Sequence, residues 1–150
     1  MISVRFSPSA DAVTNKLRKR VRRLTDLRIP HRKVEALLDR WVQANFRTQG
    51  KHGNSAGWTP FKRGGRYIRG KGIDSSAKLL QDTGRLRASF ETFSNTRQVG
   101  IRSNLSYAPP HEFGTSNMAA RKMLPTERQV RRPIIQVYQL HLDKLARRPL

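Results

Sequence analysis

The chain contains no cysteine, which removes disulfide frameworks, thiolate zinc sites and cysteine nucleophiles. Acid is scarce: ten Asp and Glu stand against 31 Lys and Arg, for a formal net charge of +21. No apolar run approaches the roughly 18 residues that a membrane span needs. Residues 1–11 also lack the apolar stretch of a secretory signal. These absences predict a soluble chain made in the cytoplasm, with no membrane partner. Hydrophobic residues reach only 36 % of the 150, so a single domain with a thin core is expected.

What is abundant is arginine. It supplies 22 of the 31 cations, and its planar fork suits phosphate and carboxylate partners better than lysine does. So much charge of one sign repels itself in an isolated chain. The expected partners are nucleic acid or the acidic faces of neighbouring subunits. Two stretches concentrate the cations. One is a helix carrying Lys19, Arg20 and Arg23, and the other is a glycine-rich segment with Lys62, Arg63, Arg66, Arg69 and Lys71 around Tyr67. Both are candidate contacts to DNA or to an acidic partner, because neutralising phosphates releases counterions without reading sequence.

Hydrophobic periodicity organises the rest. Ile2, Val4 and Phe6 alternate as a short strand, and Ser9 is placed to cap a helix with Val13, Leu17, Val21 and Leu24 on one face. A second helix is predicted to open near Pro30 and to bury Val34, Leu37, Leu38, Trp41, Val42 and Phe46. Residues 47–73 hold seven of the ten glycines and read as a long basic loop. Asp82-Thr83-Gly84 marks a turn or cap. Phe90–Ser94 and Gln98–Arg102 read as the strands of a hairpin. Thr126 caps a last helix with Val130, Ile134, Val137, Tyr138, Leu142 and Leu145 on its inner face, and Pro133 either kinks that helix or starts it. The fold class is α+β: an N-terminal helical hairpin and a C-terminal helix packed on a small, mostly antiparallel β-sheet. It divides into residues 1–46, the loop 47–73, and residues 74–150.

No reaction centre emerges. The four histidines, at 31, 52, 111 and 141, share no metal-ligand spacing and read as surface or capping residues, so neither a metal nor a cofactor is expected. Gly65–Gly72 falls short of a phosphate-binding P-loop, since Gly72 stands where a magnesium-holding hydroxyl belongs. Asp82-Thr83-Gly84 spells the aspartic-protease triplet, but Arg85 and Arg87 oppose the proton sharing that such a pair needs. His111-Glu112 has no nucleophile placed beside it and reads as a hydrogen-bonded buried corner. The chain is not expected to be an enzyme.

Several short pieces in order complete the pattern. They are Phe46-x-x-Gln49, then Gly57-Trp58-Thr59-Pro60-Phe61, then Leu79-Leu80-x-x-Thr83-Gly84-Arg85-Leu86-Arg87-x-Ser89. Val99-Gly100, Tyr107-Ala108-x-x-His111-Glu112-Phe113-Gly114-Thr115 and Ala120-Arg121-Lys122-Met123-Leu124-Pro125 follow. Together they resemble the tailed-phage virion morphogenesis family, which includes tail-completion (neck) proteins of the Mu G-like kind. The resemblance spans roughly residues 30–146.

It implies a non-catalytic subunit of the virion head–tail neck, assembled as a ring with itself and touching connector and tail terminator proteins, with packaged DNA in the channel. It also implies residue roles. Thr83 and Gly84 would turn the chain, and Leu86 would enter the core. Tyr107, Ala108, His111, Phe113 and Gly114 would form a packed corner, while Trp58 and Pro60 would anchor the start of the loop. Arg121 and Leu124 belong to the last motif, where Lys122 and Met123 replace the family's usual proline and aromatic.

Overall fold

The computed structural model describes residues 10–147, with the side chains of residues 10–13 and of Arg20 excepted. The predicted strand at 2–6 and the Ser9 cap lie outside them. The long helices form where the periodicity placed them: α1 at Ala10–Thr25, α2 at Arg28–Arg47 and a C-terminal helix at Glu127–Ala146.

Helix α2 is the axis of the molecule. Its buried residues Val34, Leu38, Trp41, Val42, Asn45 and Phe46 recur at three- and four-residue intervals, the spacing that keeps side chains on one helical face. Pro30 sits in its first turn, where the missing N–H has no intrahelical acceptor to lose.

The helix ends at a tight turn. Gly50 N–H donates to the Asn45 carbonyl at 2.8 Å, and Gln49 takes a left-handed conformation, φ 54°. Its side chain holds it there. Gln49 Nε2 donates to the Phe46 carbonyl at 2.9 Å, while its Oε1 accepts the Leu79 N–H at 2.7 Å. Gly50 follows at φ +87°, and a Cβ there would lie 2.4 Å from the Trp58 ring. The ring thus requires glycine at this position on both counts.

Two antiparallel hairpins supply the β-structure. The larger, β3 (Phe90–Ser94) and β4 (Val99–Ser103), pairs Phe90 with Ser103 and Ser94 with Val99. Its turn is tied by Asn95, whose Oδ1 accepts the N–H groups of Arg97 (2.8 Å) and Gln98 (2.9 Å). Phe90, Val99 and Ile101 face α2 and join its core. The smaller hairpin, β1 (Arg66–Ile68) and β2 (Gly72–Asp74), lies within the segment expected to be a plain loop except for Asp74, one residue past its end. It forms because Gly70 and Gly72 supply the positive φ (79° and 84°) that a tight connection needs. Short helices α3 (Arg85–Ala88) and α4 (Ala108–Phe113) flank β3–β4.

The C-terminal helix, α5, opens at Thr126. The Thr126 N–H donates to Gln129 Oε1 at 2.8 Å, in the manner of a capping box. Pro133 lies inside this helix rather than at its start. Val130, Ile134, Val137 and Tyr138 pack on the core. Leu142 is instead exposed and His141 takes the buried place beside it, since one residue is 100° of helix.

Two histidines also depart from expectation. His31 is only 2 % exposed and His141 is buried. Within the fold His31 hydrogen-bonds through Nδ1 to the Asn95 carbonyl and stands edge-on to Tyr138.

Phe46 lies at the centre, 5.1 Å from the Trp58 ring and 5.8 Å from that of Phe90. Phe46→Ala is expected to cost about 3–5 kcal/mol in urea denaturation. Leu140→Ala, at a site 59 % exposed, should stay within about 0.5 kcal/mol.

Candidate functional site

Two of the family-like pieces, those around Trp58 and around His111-Glu112, meet on one segment, the strap Ala120–Pro125. Helix α4 contributes the first clamp. Its buried face is Ala108 and Glu112, four residues apart, so the Glu112 side chain turns inward. Glu112 Oε2 accepts the N–H of Met123 at 2.6 Å and of Leu124 at 3.2 Å.

The other side of the strap is held from α2 and the turn after it. Asn45 Nδ2 donates to the Lys122 carbonyl at 2.9 Å and to that of Met123 at 3.3 Å. Trp58 Nε1 donates to the same Lys122 carbonyl at 2.8 Å. Arg121 closes the set: its N–H donates to the His111 carbonyl (2.7 Å) and its Nε to the Thr59 carbonyl (3.1 Å). Between the clamps Met123 is fully buried. Leu124 packs half-buried on the core.

The Thr83–Ser89 piece is equally structural. Gly84 heads α3 at φ 74°, a conformation that favours glycine, and Thr83 Oγ1 accepts the Arg85 N–H at 3.4 Å. Leu86 enters the core. Arg87 Nε donates to Gln43 of α2, and the Ser89 and Ser103 hydroxyls pair at 2.7 Å across the foot of the hairpin.

Two expected roles are corrected. Pro60 is exposed, because Trp58 points inward and the chain then runs outward past Arg121; Trp58 alone is the anchor. Phe113 is 72 % exposed rather than part of a packed corner. It sits one residue past Glu112 on the outer face of α4, where the Lys122 ammonium lies 4.7 Å from its ring. Of the corner, Ala108 is buried, His111 and Gly114 are half-buried, and Tyr107 is 40 % exposed with its ring edge-on to His111.

Beside the strap lies a cleft of about 480 Å³. Leu79, Leu80 and Leu86 line it together with Tyr107, His111, Arg85 and Arg121. Leu80 is held at φ 60°, a rare conformation for a bulky residue and a form of local strain. His111 Nδ1 is buried without a hydrogen-bond partner among the described residues. Burial, and secondarily the nearby Arg121 charge, lowers the His111 pKa, and burial also lowers that of Arg121.

The basic candidates separate. Lys62, Arg63, Arg69 and Lys71 are exposed on and before the β1–β2 hairpin, while Lys19 and Arg23 are exposed on α1. Arg20 is also on α1, its side chain outside those described. Arg66 is different, being ion-paired with Asp82. That pair occupies the carboxyl of the protease-like triplet. Among the described residues no three of His, Asp and Glu gather as a metal site, and no helix is long and apolar enough to cross a membrane.

Sequence reasoning did not anticipate Asn45, which no motif singled out. A polar residue on the apolar stripe of α2, one position before Phe46, was the available signal.

The lowered pKa of His111 has a defined consequence. Below about pH 6.5 the unfolded chain takes up a proton that the folded site resists, so stability falls with pH until the folded value is passed. Urea midpoints measured between about pH 7.5 and 5 should therefore fall less steeply in His111→Gln than in the wild type.

No curated protein and no solved structure matches the chain significantly. A family model does, over residues 9–143, and so takes in α2, both hairpins, the strap and most of α5. The chain belongs to the phage virion morphogenesis family, and with it to the proteins that build or assemble the phage virion.

Proposed function

We propose that the chain is a structural subunit of the bacteriophage head–tail neck, a tail-completion or head–tail joining protein of the Mu G-like kind. In this reading it assembles as a ring, contacts connector and tail terminator proteins, and performs no catalysis. The observation that carries the reading is the family match over residues 9–143, joined to the use its motifs are put to. The polar groups of Asn45, Trp58, Glu112 and Ser89 are consumed in holding backbone and side chains together, which leaves them to a frame rather than a reaction.

Charge supports neighbours of opposite sign. Among the described residues only Arg28–Asp26 and Arg66–Asp82 form ion pairs, so most of the 31 cations are left for solvent or a partner. Acidic subunits in a closed assembly would offset the self-repulsion of each copy, and DNA in the channel would do so from the inside.

The exposed cations Lys62, Arg63, Arg69 and Lys71 favour a second reading, a sequence-nonspecific nucleic-acid-binding module. The two readings part in the phage. Deleting the gene should leave DNA-filled heads beside detached, full-length tails in electron micrographs of the lysate, with infectivity restored by added purified protein. Normal infectious particles would overturn the neck reading. The second reading instead requires duplex binding whose salt slope falls by roughly 0.9 for each phosphate contact removed at these four positions.

A further inference from the structure

We propose that the cleft between α3, α4 and the strap is a docking site for a short acidic peptide segment of a partner protein, one that presents a carboxylate next to an apolar side chain. The inference goes beyond the neck reading, since it concerns a binding site on the isolated chain and stands whichever virion layer the partner occupies.

The cleft has both halves of such a site. Leu79, Leu80 and Leu86 give it an apolar lining, and at about 480 Å³ it admits a few side chains rather than a duplex. Its rim is cationic. Arg66, Lys78, Arg85 and Arg121 line it against the single carboxylate of Asp82, and Asp82 is already paired with Arg66. Lys78, Arg85 and Arg121 pair with no carboxylate among the described residues.

Two further features mark the rim as poised for an anion. Arg121 is half-buried, and among the described residues its guanidinium gives only Nε, to the Thr59 carbonyl, which leaves terminal N–H groups for a bidentate acceptor. His111, which also lines the cleft, has a buried Nδ1 with no partner among the described residues, although buried polar atoms ordinarily find partners. A carboxylate bound beside Arg85 and Arg121 would offset their charge, and its apolar neighbour would cover the leucines that line the cleft. A nucleic-acid phosphate would satisfy the charges but leave those leucines wet.

The test uses the purified full chain and a fluorescein-labelled peptide of sequence Glu-Leu-Asp-Leu-Glu, read by fluorescence anisotropy at about 0.15 M salt, where long-range attraction to exposed cations is screened. The matching Gln-Leu-Asn-Leu-Gln peptide is the uncharged control. Arg85→Ala and Arg121→Ala should each weaken binding at least about tenfold, as loss of one partner from a desolvated charge pair does. Arg69→Ala and Lys71→Ala, on the exposed hairpin, should change it less than about twofold, as screened surface charges do.

Arg85 is exposed and its side chain forms no ion pair among the described residues, so its variant reads binding apart from folding. Saturating peptide should also shift the His111 imidazole resonances. The proposal is overturned by equal loss in the hairpin and cleft variants, by equal binding of the uncharged peptide, or by no binding up to about 1 mM, the weak end of useful affinity. It is likewise overturned if the Arg85→Ala loss is seen with oligo-dT and not with the peptide. Failure here leaves the gene-deletion phenotype untouched, so the two readings fail separately.

Discussion

The architecture depends on how one carboxyl group is spent. Glu112 is buried, and a buried acidic side chain is costly unless its oxygens are satisfied. Its Oε2 meets two successive backbone N–H groups, those of Met123 and Leu124, which themselves would be expensive to bury unpaired. Each side of this exchange needs the other. An extended strap can cross the core without a β-partner only if side chains replace the missing strand, and Glu112, Asn45 and Trp58 do so from two directions. With the strap fixed, Met123 fills the space over α2 and α5 starts at Thr126 in the right place.

Charge sets the second constraint. The chain forms two ion pairs among its described residues, both of which involve exposed groups worth little to stability. The cations are therefore not a folding device. They are excluded from the core, which lies between α2, β3–β4, α5 and the strap, and they populate α1, the small hairpin and the rim of the cleft. A fold arranged this way can tolerate changes in its charge while its frame is kept, which suits a subunit whose neighbours supply the opposing sign.

Much of this frame was legible in the residue pattern. The stripe of α2, the β3–β4 hairpin and the Thr126 cap all follow from local periodicity and turn chemistry, which act within a few residues and need no knowledge of the fold. The misses have the opposite character. Burial of His31 and His141 depends on which face of α5 meets α2, and neighbouring residues cannot reveal it. Exposure of Phe113 follows from the claim that Glu112 makes on the inner face of a six-residue helix, where a hydrophobicity rule would have reversed the two. The β1–β2 hairpin escaped because its strands are three residues long, too short for alternation to stand out from a glycine-rich background. The meeting of motif residues on the strap was invisible because partners 64 residues apart, such as Trp58 and Lys122, leave no local signature.

The claim that the shared motifs build a frame around the strap is tested most directly by amide hydrogen exchange at Met123 and Leu124, compared between the wild type and Glu112→Ala. The account predicts that in the wild type both amides exchange only through near-global opening, and that in the variant both become fast while the α2 amides around Phe46 keep most of their protection. Unchanged protection at Met123 and Leu124 in the variant would contradict it, because the strap would then be held by something other than the groups that clamp it here.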